Sequence, residues 1–289
     1  MTLRSPPQLD TANHRSIDSA SERKGTAVQA KVAVVSLRHQ YVDSYSGEHV
    51  LALDDLSLEV GAGEFLTIVG PSGCGKSTLL HIIAGLIQPS SGQIILDGRP
   101  VRGPGADRGM VFQEFAILPW RTVESNIGHG LEIRGVPKAE RQATVARFIE
   151  LVNLSGFERK YPHELSGGMK QRVAVARTLA ANPEVMLMDE PFAAVDAQTR
   201  ISLQEELIRI GLATRKTIVF VTHSVEESVF LGDRVVILSR RPGRVKEVVS
   251  VNINRAGRNW AGMSKNPEYE AQRDRVLSSV REEVLQHQE

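Results

Sequence analysis

The first half of the chain changes from short apolar runs to a longer helical pattern. Runs of β-branched residues broken by Gly and Asp predict strands in the N-terminal part. They cover 32–35, 56–60, 65–69 and 93–96. Between 122 and 161, apolar residues at spacings of three and four predict helices instead. They include Ala143, Val145, Ala146, Phe148, Ile149, Val152 and Leu154.

In the second half, helical stretches alternate with wholly apolar strands. The predicted helices cover 169–181 and 203–212, and the predicted strands cover 185–188 and 217–221. Strands that are apolar throughout and alternate with helices are typical of a parallel sheet covered on both faces. We therefore expect an α/β fold.

The polarity of the two ends predicts the domain boundaries. Residues 1–30 are polar and predict a disordered extension, followed by one main domain over 31–250. A helical subdomain is expected as an insertion at about 114–165. Residues 251–289 are charged and predict a tail with a short amphipathic helix.

Composition adds two constraints. The 35 basic and 34 acidic residues give a formal net charge of +1, which offers no support for nucleic-acid binding. The single cysteine excludes an internal disulfide framework and fits a reducing compartment. We expect no membrane-spanning run of about 18 apolar residues and no secretory signal, so any membrane link would come through a partner.

A glycine-rich segment joins the strand 65–69 to the helical run 79–86. Its glycines allow backbone N–H groups to converge on phosphate oxygens at a helix N-terminus. Lys76 can reach the β and γ phosphates, and the Ser77 hydroxyl can bind Mg²⁺. We interpret Cys74 as a tolerated small residue, not a redox centre. The expected phosphate-binding residues are Gly70, Pro71, Ser72, Gly73, Cys74, Gly75, Lys76, Ser77 and Thr78.

Two carboxylates follow the apolar strand 185–188. Such a pair is costly to bury unless positive charge lies nearby. At the carboxyl end of a central strand it would lie beside the phosphate loop. There Asp189 could hold Mg²⁺ and Glu190 could polarise an attacking water. These two motifs alone also fit a kinase, a GTPase or a helicase.

A third motif, Ser166, Gly167 and Gly168, opens the predicted helix near 169. Its bare N–H groups, its hydroxyl and the positive end of the helix dipole suit an anion. A second phosphate site in one subunit would be redundant. We therefore expect this turn to serve the nucleotide bound to another subunit.

The order of these motifs from about residue 32 to 243, with the segment that begins at Leu165, resembles the nucleotide-binding subunit of an ATP-binding cassette (ABC) transporter. The resemblance implies a phosphate-loop core with a mostly parallel sheet, an N-terminal antiparallel β region and an inserted helical subdomain. It also implies ATP and Mg²⁺ as cofactors and a homodimer. Ser166 and Gly168 would contact the γ-phosphate held by Lys76 of the opposing protomer.

The same resemblance implies roles for three further residues. Gln113 would contact Mg²⁺ and water and link the core to the helical subdomain. His223 would contact the γ-phosphate and help to position water. Asp196 would lie on a loop that crosses the dimer interface, although Ala193 and Val195 depart from the commoner Gly-Ala-Leu-Asp sequence there.

An aromatic residue upstream would stack on adenine. Tyr41 aligns better than Tyr45, which lies in a polar turn, and core packing is the other alternative for Tyr41.

The segments 103–109, 118–120, 169–170 and 241–244 resemble ATPases that import nitrate, sulfonates, taurine and related small solutes.

The resemblance implies a set of partners. They are transmembrane permease subunits and, indirectly, a periplasmic or lipid-anchored solute-binding protein, with the ATPase peripheral on the cytoplasmic face of the inner (plasma) membrane. The alternatives are an exporter subunit and a soluble ABC ATPase of DNA repair or translation. Soluble ABC ATPases usually carry two cassettes or a long coiled-coil insertion, and neither is evident here. A simple phosphate-loop kinase would have no use for the Ser166 turn.

Overall fold

The computed structural model describes residues 30–42 and 47–285. The predicted N-terminal extension therefore lies outside the described residues except for Ala30, and so does Tyr45. The strands are β1 (Val32–Val42), β2 (His49–Val60), β3 (Phe65–Val69), β4 (Ser91–Leu96), β5 (Arg99–Pro100), β6 (Arg108–Val111), β7 (Val185–Asp189), β8 (Thr217–Val221), β9 (Arg234–Leu238) and β10 (Val245–Ser250).

The described chain also contains helices and two short 3₁₀ turns, at Pro162–Glu164 and Arg255–Gly257. The helices are α1 (Lys76–Ala84), α2 (Val123–Ile127), α3 (His129–Ile133), α4 (Lys138–Leu151), α5 (Gly167–Ala180), α6 (Ala197–Thr214), α7 (Val225–Leu231), α8 (Trp260–Met263) and α9 (Pro267–Leu285). No helix in the described ranges combines the length and the apolar character needed to cross a bilayer.

The strands form two sheets, and the predicted α/β fold is confirmed. One sheet is antiparallel with the order β2-β1-β4-β5, and the other has the order β10-β9-β3-β8-β7-β6. In the second sheet every pairing is parallel except that of β10 with β9. Strands β3, β7 and β8 are buried along their whole length because hydrophobic layers cover both faces.

Parallel pairing brings the carboxyl ends of the central strands to one edge. Val221 of β8 pairs with Ile68 of β3 on one side and with Asp189 of β7 on the other. The residues that follow these strands are therefore neighbours although they are far apart in sequence. This edge carries the glycine-rich loop, the acidic pair and His223.

Strand β1 is longer than the predicted 32–35. Ser36 has a φ of 43°, and the pairing of β1 with β2 shifts register between Val34 and Leu37. A bulge of this kind interrupts the alternation of apolar and polar residues. The sequence pattern therefore ends at the bulge, although the strand continues beyond it.

The C-terminal segment is a packed part of the fold, more extensive than the predicted short helix. Helix α9 has 19 residues and contacts α7, β9 and β10, with Val276 fully buried. The Trp260 ring stacks on Phe230 with centroids 4.3 Å apart. Arg258 is buried and donates to the Phe230 carbonyl at 2.9 Å. Burial lowers the pKa of Arg258 to about 10, so the side chain stays charged and tethers the segment.

Candidate active site

The glycine-rich loop connects β3 to α1 through backbone conformations that favour glycine. Gly73 and Gly75 have φ values of 74° and 100°. A Cβ on Gly75 would also lie 2.6 Å from the Leu53 side chain. The glycine-rich loop can therefore approach Leu53 on strand β2 closely. The first N–H groups of α1 have no side-chain cap.

Lys76 begins α1, and its side chain turns back under the loop. It is 6% exposed, and its Nζ donates to the carbonyls of Gly70 and Pro71, each at 2.9 Å. An ammonium held by neutral carbonyls can exchange these partners for phosphate oxygens with a gain in electrostatic energy. Burial raises the pKa of the neighbouring Cys74 thiol, so this residue is an inert thiol at neutral pH.

Asp189 and Ser77 form a pair of oxygen donors beside the loop. The Ser77 hydroxyl donates to Asp189 Oδ1 at 2.9 Å. Burial raises the pKa of Asp189, while this hydrogen bond opposes the increase. A carboxylate and a hydroxyl fit Mg²⁺, which usually takes few protein ligands and completes its shell with phosphate and water. No cluster of three or more His, Cys, Asp or Glu side chains suited to a metal occurs in 30–42 or 47–285.

Glu190 and His223 contact each other at the same edge of the sheet. His223 Nδ1 lies 3.0 Å from Glu190 Oε2, and the Glu190 N–H donates to the Val221 carbonyl at 3.0 Å. Glu190 has a φ of 41°, a left-handed conformation that costs a non-glycine residue about 1–2 kcal/mol. Strain of this kind is often found at functional sites.

A buried polar network supports the His223 loop, and the sequence analysis missed it. The Thr222 hydroxyl donates to Glu227 and accepts from the Ser224 N–H at 3.0 Å. Gln204 Nε2 donates to Glu227 at 2.6 Å, and Trp260 Nε1 donates to Gln204 at 2.8 Å. Burial raises the pKa of Glu227. The sequence gives little signal for this network, because Glu226 and Glu227 are adjacent acids on α7 and only Glu227 is buried.

A cavity of about 340 Å³ opens above the loop. At the margin of this cavity the Tyr41 hydroxyl lies 3.1 Å from Thr78 Oγ1, and Tyr41 is 41% exposed. Larger cavities of about 380, 670 and 680 Å³ each include residues from 124–160 and share no lining residue with the 340 Å³ cavity. The residues that line the 340 Å³ cavity are Tyr41, Val50, Ala52, Ser72, Gly73, Gly75, Lys76, Ser77, Thr78, Glu190 and Arg241. Arg241 was not among the expected site residues.

The third motif forms the capped N-terminus of α5 and does not line this cavity. Ser166 caps α5, with its Oγ accepting from the Met169 N–H at 3.3 Å. Asp196 caps α6 by accepting from the Thr199 N–H at 3.0 Å, and this backbone hydrogen bond lowers the pKa of Asp196. A Cβ on Gly168 would lie 2.4 Å from Thr199 Cγ2, so the two helix N-termini are in contact.

Gln113 also lies outside the cavity lining. It is exposed on the segment between β6 and α2, just before Phe115 and Ala116, which have φ values of 43° and 46°. Arg177 fixes this turn by donating to the Ala116 carbonyl at 2.7 Å.

This chain resembles known proteins described as ABC transporter or import ATP-binding proteins. A family profile described as "ABC transporter" matches residues 53–193. An uncharacterised ABC transporter ATP-binding protein of Methanocaldococcus jannaschii is 51% identical over 91% of this chain and 96% of its own length. Taurine import ATP-binding proteins are 44% identical in Roseobacter denitrificans (81% of this chain, 88% of the relative) and 46% identical in Pseudomonas putida (82% and 91%).

Solved structures give the same result. A dimeric ATP-binding cassette in a post-hydrolysis state, bound to ADP and phosphate, aligns with a TM-score of 0.66 and 30% identity. The alignment covers 77% of this chain and all of that chain.

Proposed function

The chain belongs to the ABC transporter family as an ATP-binding, ATP-hydrolysing subunit, and from this premise we propose that it binds Mg²⁺-ATP and energises import of a small solute. The solute would be of the nitrate, sulfonate or taurine type. It would cross the membrane through a separate permease, with this subunit on the cytoplasmic face of the inner membrane.

The observation that carries the proposed site is the meeting of two side-chain pairs at one sheet edge. Ser77 with Asp189 and Glu190 with His223 lie next to the glycine-rich loop, at contacts of 2.9 and 3.0 Å. Lys76 would exchange its loop carbonyls for the β and γ phosphates. Bound Mg²⁺, held by Ser77 and Asp189, would neutralise phosphate charge during transfer.

Hydrolysis then needs a base and an orienting group. Glu190 would accept the proton of the attacking water, since this residue lines the cavity. His223 would hold the γ-phosphate, and its contact with Glu190 would keep both groups in register. Gln113 would join the site from the segment between β6 and α2, adding contacts to Mg²⁺ and water.

The third motif supports a shared site. Ser166, Gly167 and Gly168 form a capped helix N-terminus outside the cavity of their own subunit. In a homodimer they would face the nucleotide of the partner, with Asp196 crossing the interface beside them. The relative solved as a dimer with ADP and phosphate supports this arrangement.

An exposed apolar patch supports permease binding. Trp120 and Ile133 are 71% and 73% exposed, and the ion pair of Arg121 with Glu132 brings their segments together. Phe115 and Ile117, which are partly buried, precede Trp120 in the same segment. Large exposed aromatic and aliphatic side chains commonly mark protein contacts. This patch would receive a short cytoplasmic helix of the permease. A solute-binding protein would act on the permease from the other side.

Reconstitution with the permease tests the import function. ATP should drive uptake of taurine, an alkanesulfonate or nitrate into vesicles carrying the complex, and Glu190→Gln should abolish that uptake. ATP turnover with no uptake of any of the three, or ATP-driven efflux, would contradict the proposed import.

Cysteine cross-linking tests the docking patch. Cys74 is the only cysteine in the sequence and is buried, so an introduced cysteine would supply the reactive thiol. Trp120→Cys should cross-link to the permease. The control Val248→Cys, on the edge strand β10, should not. Equal cross-linking at both positions, or at neither, would refute the assignment of the patch.

A further inference from the structure

The loop 239–244, between β9 and β10, packs directly on the glycine-rich loop. The Gly243 N–H donates to the Ala52 carbonyl at 2.8 Å, and the Asp54 N–H donates to the Gly243 carbonyl at 3.2 Å. A Cβ on Gly243 would lie 2.1 Å from the Cys74 carbonyl oxygen. Only a glycine allows this approach, so the loop is held against the phosphate-binding segment.

This packing places the Arg241 side chain at the edge of the cavity. Its Nε donates to the Gly73 carbonyl at 3.2 Å. Among the described residues that line the cavity, Arg241 is the one arginine. A guanidinium has five N–H donors, and the Gly73 contact uses one of them.

The loop that carries Arg241 is fixed from both sides. Ser239 Oγ accepts from the Arg244 N–H at 3.0 Å and closes the loop on itself. Glu283, near the end of α9, accepts from the Arg240 N–H at 2.9 Å and pairs with Lys246 at 3.0 Å. The C-terminal helix therefore holds the backbone next to Arg241, which limits the conformational entropy that the loop loses on binding.

The charges of the cavity indicate what Arg241 would bind. Among the described lining residues, Lys76 and Arg241 are the two cations and Glu190 is the acid. Lys76 is buried beneath the glycine-rich loop, whereas Arg241 is exposed at the rim of the cavity. A planar guanidinium suits phosphate oxygens through paired hydrogen bonds.

We propose that Arg241 is a nucleotide-contacting residue whose guanidinium binds the polyphosphate of ATP and ADP, in addition to Lys76. The proposal rests on the proposed function, because it assigns a further contact within the same nucleotide site. It assigns the segment 241–244 a role in nucleotide binding in addition to that of the glycine-rich loop.

Calorimetric titration of the full-length chain with ADP and with ATPγS, both with Mg²⁺, tests this contact. Arg241→Gln should weaken binding of both nucleotides about tenfold, the loss expected for one charged hydrogen-bonded contact. Arg241→Lys should lose less, about threefold, since it keeps the charge but not the paired donors. Arg244→Gln is the matched control, because Arg244 lies on the same loop but pairs with Asp54. It should bind like wild type.

Lys76→Ala separates this proposal from the function on which it rests. If wild type binds, Lys76→Ala does not, and Arg241→Gln stays within twofold of wild type, Arg241 is not a nucleotide contact. Equal losses in Arg241→Lys and Arg241→Gln would assign Arg241 to supporting Gly73 instead, and would also overturn the proposal. If Lys76→Ala binds as well as wild type, the proposed nucleotide site itself is wrong.

Discussion

Replacing Glu190 by glutamine should stop ATP hydrolysis without weakening ATP binding. Glutamine has the same shape and can keep the left-handed backbone and the Glu190 N–H bond to Val221, which involve no carboxylate charge. What disappears is the carboxylate that we propose as the proton acceptor, whose Oε2 lies 3.0 Å from His223 Nδ1. Because the Glu190 charge also repels phosphate, removing it should leave ATP affinity unchanged or slightly stronger.

The size of the effect follows from the role of a general base. Such a group contributes a factor on the order of 10² to 10⁴ to the rate. At about 1.36 kcal/mol for each factor of ten, the barrier should rise by roughly 3 to 5 kcal/mol. Turnover by the reconstituted complex should therefore become barely measurable, and an ATP-bound dimer should accumulate on size-exclusion chromatography.

Glu226→Gln is the matched control for this experiment. Glu226 is an exposed acid three residues after His223, and its carboxylate contacts Ser224 at 3.2 Å, not Glu190. The control should turn over ATP like wild type. If Glu190→Gln retains more than a tenth of wild-type turnover while the control is normal, Glu190 is not the base.

Three further predictions concern stability, adenine binding and Mg²⁺. Trp260→Ala should remove about 3 kcal/mol of unfolding free energy and lower the melting temperature by about 6–12 °C in a thermal scan, whereas Trp260→Phe keeps the stack on Phe230 and should lose less. Tyr41→Ala should weaken ATP binding about tenfold in calorimetry and Tyr41→Phe much less, since the ring supplies the stacking. Mg²⁺-dependent ADP binding should weaken as pH falls through the pKa of Asp189, which burial raises, and the midpoint should move to lower pH in Glu190→Gln, because the Glu190 charge also raises that pKa.

The site residues that sequence could place are those carried by contiguous segments with a strong local requirement. The glycine-rich loop has its positive-φ glycines and its lysine within a few positions, directly between a strand and a helix. Asp189 ends the strand β7 and Glu190 follows it, and parallel pairing brings both to the loop. Their position depends on local pattern and on one general rule of sheet topology.

The parts that sequence could not place depend on contacts between distant segments. Arg241 reaches the cavity only because Gly243 packs on the Cys74 carbonyl, and no periodicity encodes that contact. The link from the partly buried Trp260 through the buried Gln204 to the buried Glu227 joins three helices by side-chain hydrogen bonds. Helix α9 looked like part of a charged tail because one face is strongly polar, while Tyr269 and Val276 are buried on the other.

The central claim is that each nucleotide lies between two protomers, with Lys76 on one side and Ser166 on the other. Lys76→Ala removes the phosphate contact, and Ser166→Arg blocks the capped turn by its bulk. In a mixed dimer of one chain of each kind, both defects fall in one site and the other site is intact.

Nucleotide occlusion in that mixed dimer tests the claim most directly. Differently tagged chains that also carry Glu190→Gln can be purified in tandem, and the retained ATP counted after desalting. The mixed dimer should retain about one ATP, by the counting of intact sites, and either mutant homodimer almost none. A mixed dimer that retains no ATP, under conditions where the Glu190→Gln dimer alone does, would contradict a site shared between Lys76 and Ser166.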